Sequence, residues 1–196
     1  MSERDHLDPS SEEFFESLYR ADPDPWNFAG DPYERERFAA TLEAVGPGPF
    51  RRVLEPGCST GEITCLLAGR SEAVVAMDIA PSAVARARTR CQGLVHVEIR
   101  HTGLPAAIEG TFDLVVFSEI GYYFQAGPLA DVVDALVERL DIGGRFVSVH
   151  WTGTSADHVL TGEEVQRIVA ARPGLAARSH GGQPGFDIAT FERTAP

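Results

Sequence analysis

The stretch from Val53 to Asp78 constrains this chain most. Val53-Leu54-Glu55-Pro56 is a short apolar strand that runs into the small-residue turn Gly57-Cys58-Ser59-Thr60-Gly61. A helical run follows, and Ala73-Val74-Val75-Ala76-Met77 forms a second strand that stops on Asp78. Strand, tight turn, helix and strand with a terminal carboxylate outline a nucleoside-binding βαβ unit. Such a unit implies a parallel sheet covered by helices on both faces.

The turn narrows the nucleoside. Gly57 and Gly61 flank Ser59, and the last glycine of the dinucleotide fingerprint is missing: Gly61 is followed by Glu62-Ile63-Thr64. Glu62 puts a carboxylate in the first helical turn, where a phosphate would be repelled. A ligand with ribose and adenine but no phosphate is better served. Asp78 stands 21 residues beyond Gly57, the place from which a carboxylate accepts both ribose hydroxyls. Hydrogen bonds to a charged acceptor contribute about 1.5–3 kcal/mol each. Taken alone, Asp78 could instead cap the helix that Pro81 opens.

The remaining chain repeats the alternation. Strands are predicted near 52–55, 73–77, 95–99, 112–117 and 144–149, and helices near 60–69, 81–91, 127–140 and 162–171. Asp141-Ile142-Gly143-Gly144 reads as a helix-ending turn into the fifth strand. Two further strands, near 175–180 and 186–192, flank Gly181-Gly182-Gln183-Pro184-Gly185, which can turn an antiparallel hairpin. The expected fold is a three-layer Rossmann-like α/β sandwich with seven strands, mostly parallel, and one domain spanning residues 1–196. Within it, 11–48 form an N-terminal helical lid, 50–150 the ligand-binding core, and 151–196 a C-terminal helix and hairpin.

Upstream, residues to about Pro9 look disordered. Ser11 can cap a helix whose Phe14, Phe15 and Leu18 share a face. Asp22-Pro23-Asp24-Pro25 then forces an extended or turning backbone, and Trp26 and Phe28 follow. Those two aromatics either pack this segment onto the core or cover a pocket. Asp31 caps a second helix with Pro32 in its first turn. Phe38, Leu42 and Val45 are its expected core face, and Tyr33 and Arg37, four apart, can point the same way.

Composition sets limits. The formal charge of −12 disfavours a nucleic-acid partner, and no basic run offsets it. No window approaches the roughly 18 apolar residues of a membrane helix, and the charged N-terminus leads into no apolar signal region. Three cysteines, Cys58, Cys65 and Cys91, lack zinc-site spacing and cannot all pair; a reducing cytoplasm is the expected compartment, and no metal is expected.

Gly57-x-Ser59-x-Gly61 also matches the nucleophile elbow of α/β-hydrolases, with Asp113 and His150 following in triad order. Against it, the chain is short, no His-Gly-Gly motif precedes the serine, and Asp113 falls at the wrong end of its strand. A non-catalytic cofactor-binding module is a third reading.

Glu55-x-Gly57-x-Ser59-x-Gly61, the acidic Asp78 and Phe112-Asp113-Leu114-Val115-Val116 resemble the motifs of class I S-adenosylmethionine-dependent methyltransferases. Leu18-Tyr19-Arg20-Ala21-Asp22-Pro23-Asp24-Pro25-Trp26, Tyr33-Glu34-x-x-Arg37, Leu54-Glu55-x-Gly57-Cys58-Ser59 and Ser118-Glu119-x-Gly121-Tyr122-Tyr123 resemble the nodulation protein S family. Its founding members N-methylate the free amine of a deacetylated chitooligosaccharide. The resemblance implies S-adenosyl-L-methionine as cofactor and S-adenosyl-L-homocysteine as product. In its terms Gly57, Cys58, Ser59 and Gly61 form the turn on the methionine part, with Glu55 toward the amino group. Asp78 holds the ribose and Ile79 packs on adenine, which Thr102, Gly103 and Leu104 border. His101-Thr102-Gly103 stands where many relatives carry an acidic adenine partner. Ser118 and Glu119 lie beside the sulfonium. Trp26, Tyr33 and Arg37 belong to the lid, with Arg37 a candidate for the cofactor carboxylate because a guanidinium pairs with it in two parallel bonds.

Methyl transfer from a sulfonium asks the protein for alignment and water exclusion. An amine acceptor must also lose a proton, for which Glu119 and His150 are candidates, with Tyr122 as a hydrogen-bond or cation–π partner. A small-molecule acceptor, an amino sugar or oligosaccharide first among them, is expected. A hydroxyl or other natural-product acceptor is the alternative.

Overall fold

A computed structural model describes residues 6–28, 30–105 and 108–195. Two helices come first, α1 (Glu12–Ala21) and α2 (Pro32–Val45). The alternating part runs β1 (Val53–Pro56), α3 (Glu62–Ala68), β2 (Val74–Asp78), α4 (Pro81–Arg90), β3 (Val97–His101), β4 (Phe112–Ser118), α5 (Ala126–Arg139) and β5 (Leu140–Trp151). The chain closes with α6 (Gly162–Ala170), β6 (Leu175–Gln183) and β7 (Phe186–Arg193).

The seven strands form one sheet in the order β3-β2-β1-β4-β5-β7-β6, the class I methyltransferase order. β1 to β5 are parallel, while β7 pairs antiparallel with both β5 and β6. The expected mixed sheet with a hairpin edge is therefore present. β1 and β2 are buried along their whole length and β4 nearly so, as parallel strands covered on both faces must be. On one face Leu129, Val133 and Leu136 of α5 and Val165 of α6 pack against Phe112, Phe117 and Phe146. On the other, Leu67, Val84, Ala87 and Val45 pack against Val53, Val116 and Val147.

Local chemistry accounts for the starts of α1, α2 and α6. Ser11 accepts the Phe14 N–H, Asp31 accepts the Tyr33 N–H, and Thr161 and Glu164 form a reciprocal capping box. The fifth strand differs from expectation. It begins at Leu140, which pairs with Phe112, and then Asp141–Gly144 loop out before Arg145 rejoins the ladder opposite Leu114. Expected disorder up to about Pro9 falls in part on residues 1–5, outside the described residues. From His6 onward the chain is ordered by Asp8, whose carboxylate accepts the Ser10 N–H and hydroxyl while its carbonyl accepts the Ser11 hydroxyl. Among the described residues no helix is long and apolar enough to cross a membrane.

Candidate active site

Open parallel sheets bind ligands beyond the carboxyl ends of the strands, where the strand order reverses. Here β1 and β4 lie side by side at that reversal. The segments after β1, β2, β3 and β4 converge there on a cavity of about 120 Å³. Gly57 and Ser59, Asp78 and Ile79, Thr102 to Leu104, and Ser118 to Ile120 form its floor. Phe15 and Tyr19 of α1, together with Trp26 and Phe28, form its roof.

The turn after β1 is held by backbone. Gly57 and Cys58 both donate to the Met77 carbonyl, at 2.7 and 2.9 Å. Gly57 has φ +73°, and a Cβ there would come within 2.3 Å of Ile120 Cγ2. Ser59, which replaces the middle glycine, adopts φ +51°. A non-glycine in this left-handed region is uncommon and needs local compensation. It has two bonds: its N–H donates to Asp78 Oδ2 at 2.8 Å, and its hydroxyl meets the Tyr19 hydroxyl at 2.5 Å.

Asp78 fills the capping role weighed from the sequence. Oδ1 accepts the Ala80 N–H at the start of α4 at 2.9 Å, and Oδ2 accepts Ser59. Each oxygen keeps a further lone pair, so two ribose hydroxyls could still be accepted. Burial pushes its carboxyl above the usual range, opposed by the N–H donors of Ala80, Ser59 and Ile79. Gly103 sits where a Cβ would come within 2.8 Å of Ile79 Cδ1, so the small residue lets the third loop close on Ile79.

After β4, Glu119 has φ +62°. Its Oε2 accepts the Tyr122 hydroxyl at 2.8 Å and its Oε1 the Trp151 N–H at 2.7 Å. Burial pushes its carboxyl up, opposed first by the Arg37 charge and then by these two donors. Tyr122 is in turn stacked on His158, ring centroids 3.8 Å apart.

Several expected residues take other positions. Arg37 is 2% exposed and does not line the cavity. Its guanidinium pairs with Glu34, donates to Ser118 Oγ at 3.2 Å, and lies over the Phe38 and Phe28 rings. Glu34 faces the cavity in its place. Tyr33 donates to the Gly185 carbonyl at 3.0 Å and packs on Phe186, tying α2 to the C-terminal hairpin. Tyr33 and Arg37 therefore leave α2 toward different partners. Cys58 is buried beneath the turn and, with Gly61, Glu55 and Arg37, is absent from the cavity wall. Glu55 accepts the Thr64 hydroxyl at 2.6 Å, and burial pushes its carboxyl up to about 8.

His150 is unsuited to act as a base in this geometry. It is fully buried, its Nε2 accepts the Gly121 N–H at 3.1 Å, and its Nδ1 lies 3.2 Å from Ser148 Oγ. Burial, Arg37 and His158 hold its pKa down to about 3. The hydrolase constellation does not assemble either. Ser59 meets Tyr19, and Asp113 accepts the backbone N–H groups of Arg51 and Arg52 at the opposite end of β4. Glu62 is paired with Arg90, so its charge is partly offset.

Three carboxylates, Glu34, Asp78 and Glu119, face the cavity, and no lysine, arginine or histidine lines it among the described residues. Each is raised by burial. A cationic ligand relieves that penalty and a phosphate aggravates it. Tyr19, Phe15 and Glu34 are among the wall residues to which the sequence assigned no part in the site. Tyr19 and Glu34 lie inside motifs quoted for the family resemblance, so those motifs were the available signal.

The nodulation protein S (NodS) family model matches residues 12–161. Nodulation protein S of Rhizobium tropici is 33% identical over 129 residues, 63% of this chain and 53% of that protein. The Azorhizobium caulinodans protein of the same name is 25% identical over 178 residues, 87% of this chain and 86% of its own length. Against the first of these relatives, then, the match spans only about half of the relative's length. Among solved structures, N-methyltransferase NodS from Bradyrhizobium japonicum WM9 in complex with S-adenosyl-L-homocysteine superposes with a TM-score of 0.82 at 27% identity. That superposition covers 95% of this chain and 99% of the other.

Proposed function

Because the chain belongs to the NodS family of S-adenosylmethionine-dependent methyltransferases, we propose that it N-methylates a small amine. The leading acceptor is an amino sugar or the free amine of a deacetylated glycan. The observation that carries this reading is the cavity wall at the switch point of the sheet, where Glu34, Asp78 and Glu119 face inward while the Arg37 guanidinium paired with Glu34 stands behind the wall. It suits a sulfonium and an amine, which are both cationic before reaction.

The residues present fit the cofactor. Asp78 has free acceptor positions for both ribose hydroxyls, and Ile79 and Leu104 offer apolar surface for adenine. When bound, the cofactor supplies a methyl group already activated on sulfur. This chain's own task is to orient the acceptor amine behind that methyl and to keep water out, and alignment of this kind is worth up to about 7–11 kcal/mol. The aromatic roof of Phe15, Tyr19, Trp26 and Phe28 serves as the lid that excludes water. Glu119 takes the amine proton, while Tyr122 and the Trp151 N–H hold its carboxylate in place. Arg37, held by Glu34 and donating to Ser118, acts as a positioning residue on Ser118 and through its charge on Glu119 rather than as a direct cofactor ligand.

Calorimetric titration with S-adenosylmethionine and S-adenosylhomocysteine tests the cofactor half, and absence of binding overturns it. Incubation of the protein with isotope-labelled cofactor and partly deacetylated chitooligosaccharides, read by mass spectrometry, tests the acceptor half. Added methyl on the amine is the expected result. Transfer to a hydroxyl acceptor alone would replace the N-methylation reading with O-methylation.

A further inference from the structure

Two thiols outside the cofactor cavity lie against each other. Cys65 stands in α3 and Cys91 caps the C-terminus of α4, and their sulfurs are 3.1 Å apart. Both are free, as is Cys58. The two helices are brought together by features independent of the sulfurs. A Cβ at Gly61, the N-cap of α3, would lie 3.1 Å from the Ala87 backbone of α4. Arg90, the residue before Cys91, donates to the Thr60 carbonyl at 2.8 Å and pairs with Glu62 at 2.5 Å. The last turn of α4 is thereby pinned to the first turn of α3.

We propose that Cys65 and Cys91 are a redox modification site, which a hydroperoxide converts into an intramolecular disulfide joining α3 to α4. The two sulfurs differ in exposure, and this sets the order of events. Cys65 is half-buried and open to a small oxidant, whereas Cys91 is 6% exposed. Burial and the adjacent Cys65 sulfur push the Cys91 thiol above its ordinary range and keep it protonated, so Cys65 is the sulfur oxidised first and Cys91 follows from its position against it.

In the first step the Cys65 thiolate attacks one peroxide oxygen and the O–O bond breaks. Cys65 becomes a sulfenic acid, and the departing hydroxide takes a proton and leaves as water. In the second step the Cys91 sulfur gives up its proton and attacks the Cys65 sulfur. The S–O bond breaks, the S–S bond forms, and a second water leaves. In sum, two thiols and one hydrogen peroxide give one disulfide and two waters, with one electron lost by each sulfur and two taken by the peroxide. The sulfurs must close from 3.1 Å to about 2.05 Å, a small movement for two side chains already in contact. The crosslink would tie the helix that follows the glycine turn to the helix that follows Asp78. Cys58, buried beneath the turn, is left as the free thiol.

The test treats the full chain with hydrogen peroxide, then counts thiols after denaturation, measures the intact mass and maps the peptides. The expected result is a fall from three thiols to one, with two hydrogens lost from the mass. A single Cys65–Cys91 crosslink that dithiothreitol reverses should appear, and the thermal midpoint should rise over the reduced protein. Cys65→Ser and Cys91→Ser should each abolish the crosslink and the rise. Three thiols remaining, a crosslink through Cys58 or between chains, Cys65 driven to sulfinic acid beside an intact Cys91, or a lower midpoint in the crosslinked protein would each overturn the proposal.

Discussion

Glu55 offers a sharp thermodynamic test of the arrangement beneath the glycine turn. Its carboxyl is 4% exposed, has the Thr64 hydroxyl as its hydrogen-bond donor, and is pushed by burial from 4.5 to about 8. The charges of Glu62 and Asp78 push in the same direction. Between these two pH values the folded protein holds a proton that the unfolded chain has released. The unfolded state then binds fewer protons, so stability falls as pH rises. The contribution is fully present below pH 4.5 and is lost as pH climbs through about 8. From pH 5 to pH 8 the loss from this one group is about 3 kcal/mol. Glu55→Gln keeps the shape and the acceptor for Thr64 but removes the titration. Its amide also adds donors, so the absolute stability of the variant is uninformative and the pH slope is the quantity to read. Urea unfolding of both proteins at pH 5 and pH 8, followed by circular dichroism, gives that slope. All other titrating groups are common to both chains and cancel. The stability difference should move in favour of the variant by the same amount, about 3 kcal/mol, between the two pH values. Parallel pH dependences would refute a buried, proton-holding Glu55.

Three further predictions concern the site. Asp78→Asn leaves one acceptor oxygen where two now serve Ser59 and Ala80, and should weaken S-adenosylhomocysteine binding by about 10- to 1,000-fold in calorimetry; undiminished affinity would remove Asp78 from the ribose. Gly57→Ala places a Cβ against Ile120 at φ +73°, and the strain and overpacking together should lower stability by about 2–4 kcal/mol in a denaturant titration. Glu119→Gln should reduce kcat by about 100-fold while cofactor affinity stays within a few-fold; wild-type kcat would take Glu119 out of the proton transfer.

Much of the cofactor half was legible along the chain because its signals are local. Strand, glycine turn, helix and terminal carboxylate lie within Val53–Asp78, and the caps at Ser11 and Asp31 are read over three or four residues. Those short-range patterns determine the order of elements, and with it the sheet edge where Gly57, Ser59, Asp78 and Glu119 meet. Which charged side chains face the cavity was decided only by packing. Helical spacing placed Tyr33 and Arg37 on adjoining positions, yet the hairpin turn at Gly185 captures one, and Glu34 with Ser118 captures the other. His150 looked available beside Trp151, but the fold commits its acceptor nitrogen to Gly121. Tyr19 gains its partner Ser59 from 40 residues away. Spacing along a chain reports direction over a turn or two of helix, whereas a buried charge or hydroxyl takes whatever partner the tertiary structure delivers, because leaving it unpaired costs more than any local preference.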